Sequence, residues 1–176
     1  MVQIFSPAQC AGYVAFAVGV TAFLQKSDRR LKFFNGAECL VYAAHFTLLG
    51  NLSAAMSALI SGTRSLTALK TRAPLLAVLF IVLNLALGLV FAKTAAGWLP
   101  IAASCLATVA IFFMQGIRMR LLLLVSTFLW LANNIVSGSI GGTALECVIA
   151  TANIVTMVRM QAWNSERQSG PAPAKH

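Results

Sequence analysis

Glu146 is the residue that most needs a chemical reason, because it places a carboxylic acid within the apolar run ALECVIATANIV. An ionised side chain at the centre of a lipid-embedded helix costs about 2.5–3.5 kcal/mol on insertion scales, so such groups face a partner or a cavity. Glu146 then reads either as a cavity-facing acid that binds a solute or takes up a proton, or as a neutral acid hydrogen-bonded between helices. Arg64, within ALISGTRSLTAL, is its companion oddity. A long guanidinium side chain near a helix end can snorkel to the headgroups, or it can line a cavity opposite Asn153. A direct pair with Glu146 would have to close part of a gap of about 10 Å, the helix rise between Glu146 and Asn153.

Two aromatic–polar pairs offer a second kind of chemistry. His45 follows Tyr42 by three residues and Asn133 follows Trp130 by three, so each pair shares one helical face. An aromatic face beside a hydrogen-bonding group suits a flat or ring-shaped solute. The plainer reading is a packing aromatic beside an interhelical hydrogen bond. The candidate solute-binding set is therefore Trp130, Glu146, Tyr42, His45, Asn133, Asn153 and Arg64. Glu38 reads as an interfacial ion partner for Arg29, Arg30 or Lys32, and Asn84 and Asn134 as packing or interhelical contacts. No phosphate-binding loop, metal-ligand cluster or nucleophile–base pair stands at a telling spacing. No enzyme activity, cofactor or metal is expected.

These groups sit in a chain built for lipid. Of its 176 residues, 59% are hydrophobic and 10% charged, with a mean hydropathy of +0.83; soluble domains carry about 25% charged residues. One membrane domain is expected over 1–162, with a disordered polar tail over 163–176. The net charge of +9 does not point to nucleic acid, since the basic residues are dispersed among apolar runs. Cys10, Cys39, Cys105 and Cys147 lie far apart in apolar segments and read as buried free thiols. The first basic residue, Lys26, follows the first apolar run, so no secretory signal is expected.

Polar punctuation divides the chain into seven candidate spans, at roughly 8–25, 36–50, 52–70, 74–92, 97–115, 120–137 and 140–161. The second is the shortest of them. Seven crossings put Lys26, Arg29, Arg30, Lys32, Lys70, Arg72, Arg118, Arg120, Arg159, Arg167 and Lys175 on one side and only Lys93 on the other. The positive-inside rule then places the N-terminus outside and the C-terminus in the cytoplasm.

The chain also repeats itself. LVYAAHFTLLG (40–50) matches FLWLANNIVSG (128–138), setting Tyr42 on Trp130, His45 on Asn133 and Gly50 on Gly138. With one extra residue in the turn, TRSLTALK (63–70) matches ANIVTMVR (152–159), which sets Arg64 on Asn153. The repeat implies an all-α membrane protein of two parallel three-helix units, about 8–70 and 97–161, joined by a linker helix at about 74–92.

Residues 23–160 resemble the YgjV family of bacterial inner-membrane proteins, through DRRLK (28–32), HFTLLG (45–50), MRL (119–121) and above all GSIGGT (138–143) with Glu146. The resemblance implies a bacterial inner-membrane location. The plan of three, one and three helices also looks like that of the SWEET and PQ-loop transporters and the single-repeat SemiSWEETs. Those proteins hold a sugar with a tryptophan on the second helix of a repeat and an asparagine sixteen residues later. Here the matching positions are Trp130 with Glu146 and Tyr42 with Ala58. Their proline–glutamine motif becomes Leu24-Gln25 and Met114-Gln115, without the proline that bends a helix.

The leading expectation is a secondary transporter or facilitator of a small polar solute, sugar-like or cationic. The alternative is a membrane receptor or sensor that binds a ligand in the same cavity without moving it. The expected partners are a small-molecule solute, membrane lipid and a second copy of the chain in a homo-oligomer.

Overall fold

The computed structural model describes residues 5–23 and 28–169. They form seven α-helices: α1 (Pro7–Phe23), α2 (Asp28–Leu48), α3 (Leu52–Thr67), α4 (Pro74–Phe91), α5 (Leu99–Phe113), α6 (Gly116–Val136) and α7 (Ile140–Ser169), with a 3₁₀ turn over Ala95–Trp98 before α5. No strand occurs among the described residues. By length and composition, four segments can cross a bilayer: Pro74–Phe91, Ala95–Phe113, Gly116–Val136 and Ile140–Trp163. The helices of the first half fall short of that standard for visible reasons. The α1 and α3 helices have 17 and 16 residues, and α2 carries Asp28, Arg29, Arg30, Lys32 and Glu38.

Two helix ends differ from the sequence reading. The basic segment DRRLK is not a loop but the opening turns of α2, so this helix is among the longest instead of the shortest. Arginine, leucine and lysine are strong helix formers, and Asp28 suits the positive end of the helix dipole. At the other end α7 continues to Ser169, through half of the segment expected to be disordered. Nothing in WNSERQS breaks a helix until Gly170-Pro171; residues 170–176 lie outside the described part, as do Leu24 and Gln25.

The helix stops show why the repeat has its glycines. Both α2 and α6 end in a Schellman turn, with Asn51 N–H donating to the Phe46 carbonyl at 2.9 Å and Ser139 N–H to that of Asn134 at 2.9 Å. The turn needs a left-handed residue, and Gly50 (φ 75°) and its mate Gly138 (φ 68°) supply it. Substituting alanine at either should cost about 1–2 kcal/mol of backbone strain. A lowered unfolding temperature with unchanged oligomeric state is the expected result; no shift would mean that the turn relaxes. Between α5 and α6 the missing proline is replaced by another break: Met114 and Gln115 are extended and Gly116 is left-handed (φ 61°).

Packing closes six helices into a ring in the order α1, α2, α3, α5, α6, α7, and back to α1. Exchanging α1–α3 with α5–α7 preserves every neighbour in this ring. The α4 helix stands outside it, against α3 and α5. Its free face is wholly apolar, with Leu75 (79% exposed), Val78, Val82, Leu89 and Val90. The interior is polar instead: Gln9, Glu38, His45, Arg64, Asn84, Asn133, Asn134, Glu146 and Asn153 are all buried. This inverted distribution suits a hydrocarbon surround, where exposed apolar surface carries no cost. It also explains the thiols. All four are free, but Cys10 and Cys147 lie on the exterior and Cys39 and Cys105 are half-buried, contrary to the expectation of burial.

Small residues let the ring close. On α3 the packed face is Ser53, Ala54, Ala55, Ser57, Ala58, Ser61 and Gly62. Asn84 holds α4 to this face by accepting from Ser57 Oγ at 2.9 Å and donating to the Ile101 carbonyl of α5 at 3.1 Å.

Candidate functional site

The ring encloses a cavity of about 100 Å³, walled by α2, α3, α5, α6 and α7. One face of α2 runs along its whole length, presenting Lys32, Asn35, Glu38, Cys39 and Tyr42. That spacing spans about 15 Å of helix rise. Facing these are Arg64 and Ser61 from α3, Ser126, Thr127 and Trp130 from α6, and Glu146 and Asn153 from α7. Trp130 and Glu146, and Tyr42 and Ala58 at the matching positions of the repeat, all lie on this wall.

Several of these polar groups lack protein partners. The Tyr42 hydroxyl, Arg64 Nε and Asn153 Nδ2 are buried without a hydrogen bond. Glu38 and Glu146 are 5% and 6% exposed, and among the described residues neither carboxyl has a hydrogen bond or ion pair. Buried polar groups ordinarily find partners; the amides of Asn133 and Asn134, outside the cavity, lack them too, but the wall gathers three such groups and two acids around one space. Arg64 does not snorkel: at 3% exposure its Nη1 donates to the Ser104 carbonyl at 2.8 Å and to Thr108 Oγ1 at 2.9 Å, both on α5. It forms no direct pair with Glu146. Asn153 accepts from Arg120 Nη1 at 3.3 Å.

An aromatic layer closes one end. The Tyr42 and Phe46 rings stack at 5.3 Å and 13°, and Phe46 stacks on Trp130 at 5.9 Å and 21°. This joins α2 to α6 across the middle of the ring. Beyond it lies a polar layer that contains the two remaining candidates, and neither faces the cavity. His45 is wholly buried, its Nδ1 2.6 Å from the Ala8 carbonyl and its Nε2 2.7 Å from Ser139 Oγ. Asn133 accepts from Asn51 Nδ2 at 3.1 Å, while Asn51 also donates to Ser137 Oγ at 2.7 Å. Gln9 completes the layer by donating to the Gly138 carbonyl at 2.9 Å and accepting from Ile140 N–H at 3.2 Å.

The direction of these ties differs between the two ends. His45–Ser139, Asn51–Asn133 and Gln9–Gly138 all join the first half to the second. At the basic end, Lys32 donates to the Ala68 carbonyl at 3.3 Å, Asn35 to Ser65 Oγ at 2.9 Å, and Arg120 to Asn153. Each of those stays within one half. The halves are therefore fastened beyond the aromatic layer, and again along the α3–α5 seam, where Arg64 reaches Ser104 and Thr108 and Ser61 Oγ lies 2.9 Å from Ser104 Oγ.

Sequence reasoning missed Glu38, Asn35 and Phe46. Glu38 turns inward, away from the exposed Arg29 and Arg30, and shares the cavity wall with Lys32, the third base expected beside it. The signal was present: Asn35, Glu38 and Tyr42 recur at helical spacing and so share a face.

The family described as "Bacterial inner membrane protein", Imp-YgjV, matches residues 6–164. "Inner membrane protein YgjV" of Escherichia coli (strain K12) is 35% identical over 157 residues, covering 88% of this chain and 86% of the relative. No solved structure matches the chain.

Proposed function

Since the chain belongs to the YgjV family of bacterial inner membrane proteins, we propose that it is a carrier that moves a small polar solute across that membrane. The observation that carries this reading is the central cavity between two like halves, walled by Tyr42, Arg64, Asn153, Glu38 and Glu146 with polar groups left without partners. A buried unpaired donor or acceptor costs about 1–3 kcal/mol, and a polar solute in the cavity would offset that cost. The seven-crossing topology, the cytoplasmic C-terminus and the kinship with the SWEET plan belong to this proposal.

Counterflow into liposomes holding the purified protein tests it, with a panel of monosaccharides, polyols, amino acids and polyamines. Exchange of one solute class is expected. Binding by thermal shift without exchange would make the protein a receptor instead.

Two further results are expected. Single cysteines at Lys93 and Arg167, in a cysteine-free background, should label from opposite faces; labelling from the same face ends the seven-crossing topology. Trp130→Ala should weaken solute binding about three- to thirtyfold, the worth of one stacked or cation-facing aromatic contact. Unchanged affinity in the folded variant would reduce Trp130 to a packing residue.

A further inference from the structure

We infer that the solute carried in this cavity is a small zwitterion, with one cationic and one anionic group held on opposite walls. The inference rests on the carrier reading and specifies its substrate class.

The two seams between the halves are α1 against α7 and α3 against α5, and they lie opposite each other in the ring. The acids belong to the first. Glu146 projects from α7, and the Glu38 side chain lies beside Gly19 of α1, where an added Cβ would meet Glu38 Cγ at 3.3 Å and Leu145 of α7 at 2.6 Å. One base belongs to the second; the other wall base, Lys32 of α2, is held within its own half by the Ala68 carbonyl. Arg64 projects from α3 and rests its Nη1 on α5 through Ser104 and Thr108, leaving Nε without a partner. Glu38, Glu146 and Arg64 line one cavity yet form no ion pair with each other.

Two acids at one seam and a guanidinium at the other, lining one cavity, are matched by a solute that offers each a counter-charge. A plain sugar offers none, and a plain cation answers only the acids while leaving the guanidinium alone. A solute with both charges answers the two walls at once. Its cationic group would sit between Glu38 and Glu146 near the face of Trp130, which suits a cation. Its carboxylate would meet the guanidinium edge of Arg64. The two halves of the repeat explain how such a polar axis arose. Glu146 stands opposite Ala58, its repeat mate by the tryptophan register, and Arg64 opposite Asn153. Glu146 and Arg64 therefore each lack a like charge at the matching position of the other half, while Glu38 and Glu146 put one acid in each half.

The experiment is calorimetric titration of the purified full-length protein with ω-amino acids from glycine to aminohexanoic acid. Their methyl esters and N-acetyl derivatives, glucose and tetramethylammonium serve as charge controls. One chain length should bind best, and its ester and N-acetyl forms should bind roughly ten- to a hundredfold more weakly, as expected for loss of a charged hydrogen bond. Arg64→Gln should erase the preference for the free acid over its ester, with Arg64→Lys restoring it in part. Glu146→Gln should erase the preference for the free amine over its N-acetyl form. A structural role for either residue would weaken all ligands alike and leave the preferences intact. Equal binding of the zwitterion and both blocked forms would overturn the inference. Binding of glucose or tetramethylammonium in its place would overturn it too, while the carrier reading stands or falls separately on counterflow.

Discussion

Gly141→Ala should remove about 2–3 kcal/mol of stability, the upper range for forced overpacking, and Gly141→Leu should prevent recovery of folded protein. A Cβ at Gly141 would lie 2.7 Å from the Gly12 carbonyl oxygen, 2.8 Å from its carbon and 3.1 Å from Tyr13 N. All three are backbone atoms, so no rotamer change relieves the clash. The α1 and α7 helices would have to separate, and their seam closes the ring. Gly12 presses on His45 at the same seam, where an added Cβ would meet the imidazole at 2.9 Å, and the Gln9 ties lie at its end. Opening the seam would thus also release the polar layer. Gly50 offers the contrast: nothing lies within 4 Å of its added Cβ, so alanine there meets only the cost of its dihedral. Thermal unfolding in detergent, read by size-exclusion, separates the cases. Wild-type stability in Gly141→Ala would mean that α1 and α7 do not pack this closely.

Glu146→Gln is expected to weaken solute binding by roughly ten- to a hundredfold without lowering thermal stability. Glutamine keeps the size of the side chain and removes its capacity to ionise. No protein group bonds the Glu146 carboxyl among the described residues, so the fold loses no bond. Unfolding temperature should stay the same or rise, since an unpaired acid at 6% exposure is costly to bury. Any pH dependence of solute flux that arises from this acid should vanish with it. Stability and affinity falling together, or affinity unchanged, would make Glu146 an interhelical bonding residue.

The order of residues determined what depends on near neighbours. Apolar runs bounded by polar punctuation marked seven helices, because lipid or a packed neighbour must cover each run. Gly50 and Gly138 announced matching helix stops, since a left-handed residue strains any side chain but glycine. Trp130, Tyr42, Glu146, Asn153 and Arg64 could be named as wall residues because the repeat and the cost of charge in lipid are both visible in one dimension.

Rotation and partnership belonged to the tertiary structure. His45 follows Tyr42 on the same helix face, yet the Schellman stop and the close approach of Gly12 turn it into a bridge between Ala8 and Ser139, beyond the aromatic layer. Asn133 was drawn to Asn51 because that helix cap reaches across from the other half. Glu38 had arginines within a few residues along the chain, and only the ring closure placed it on the cavity wall instead. Each of these outcomes turns on which helix stands opposite. Long-range packing sets that, because a helix face presents several polar groups at nearly equal angles and only the facing helix selects among them.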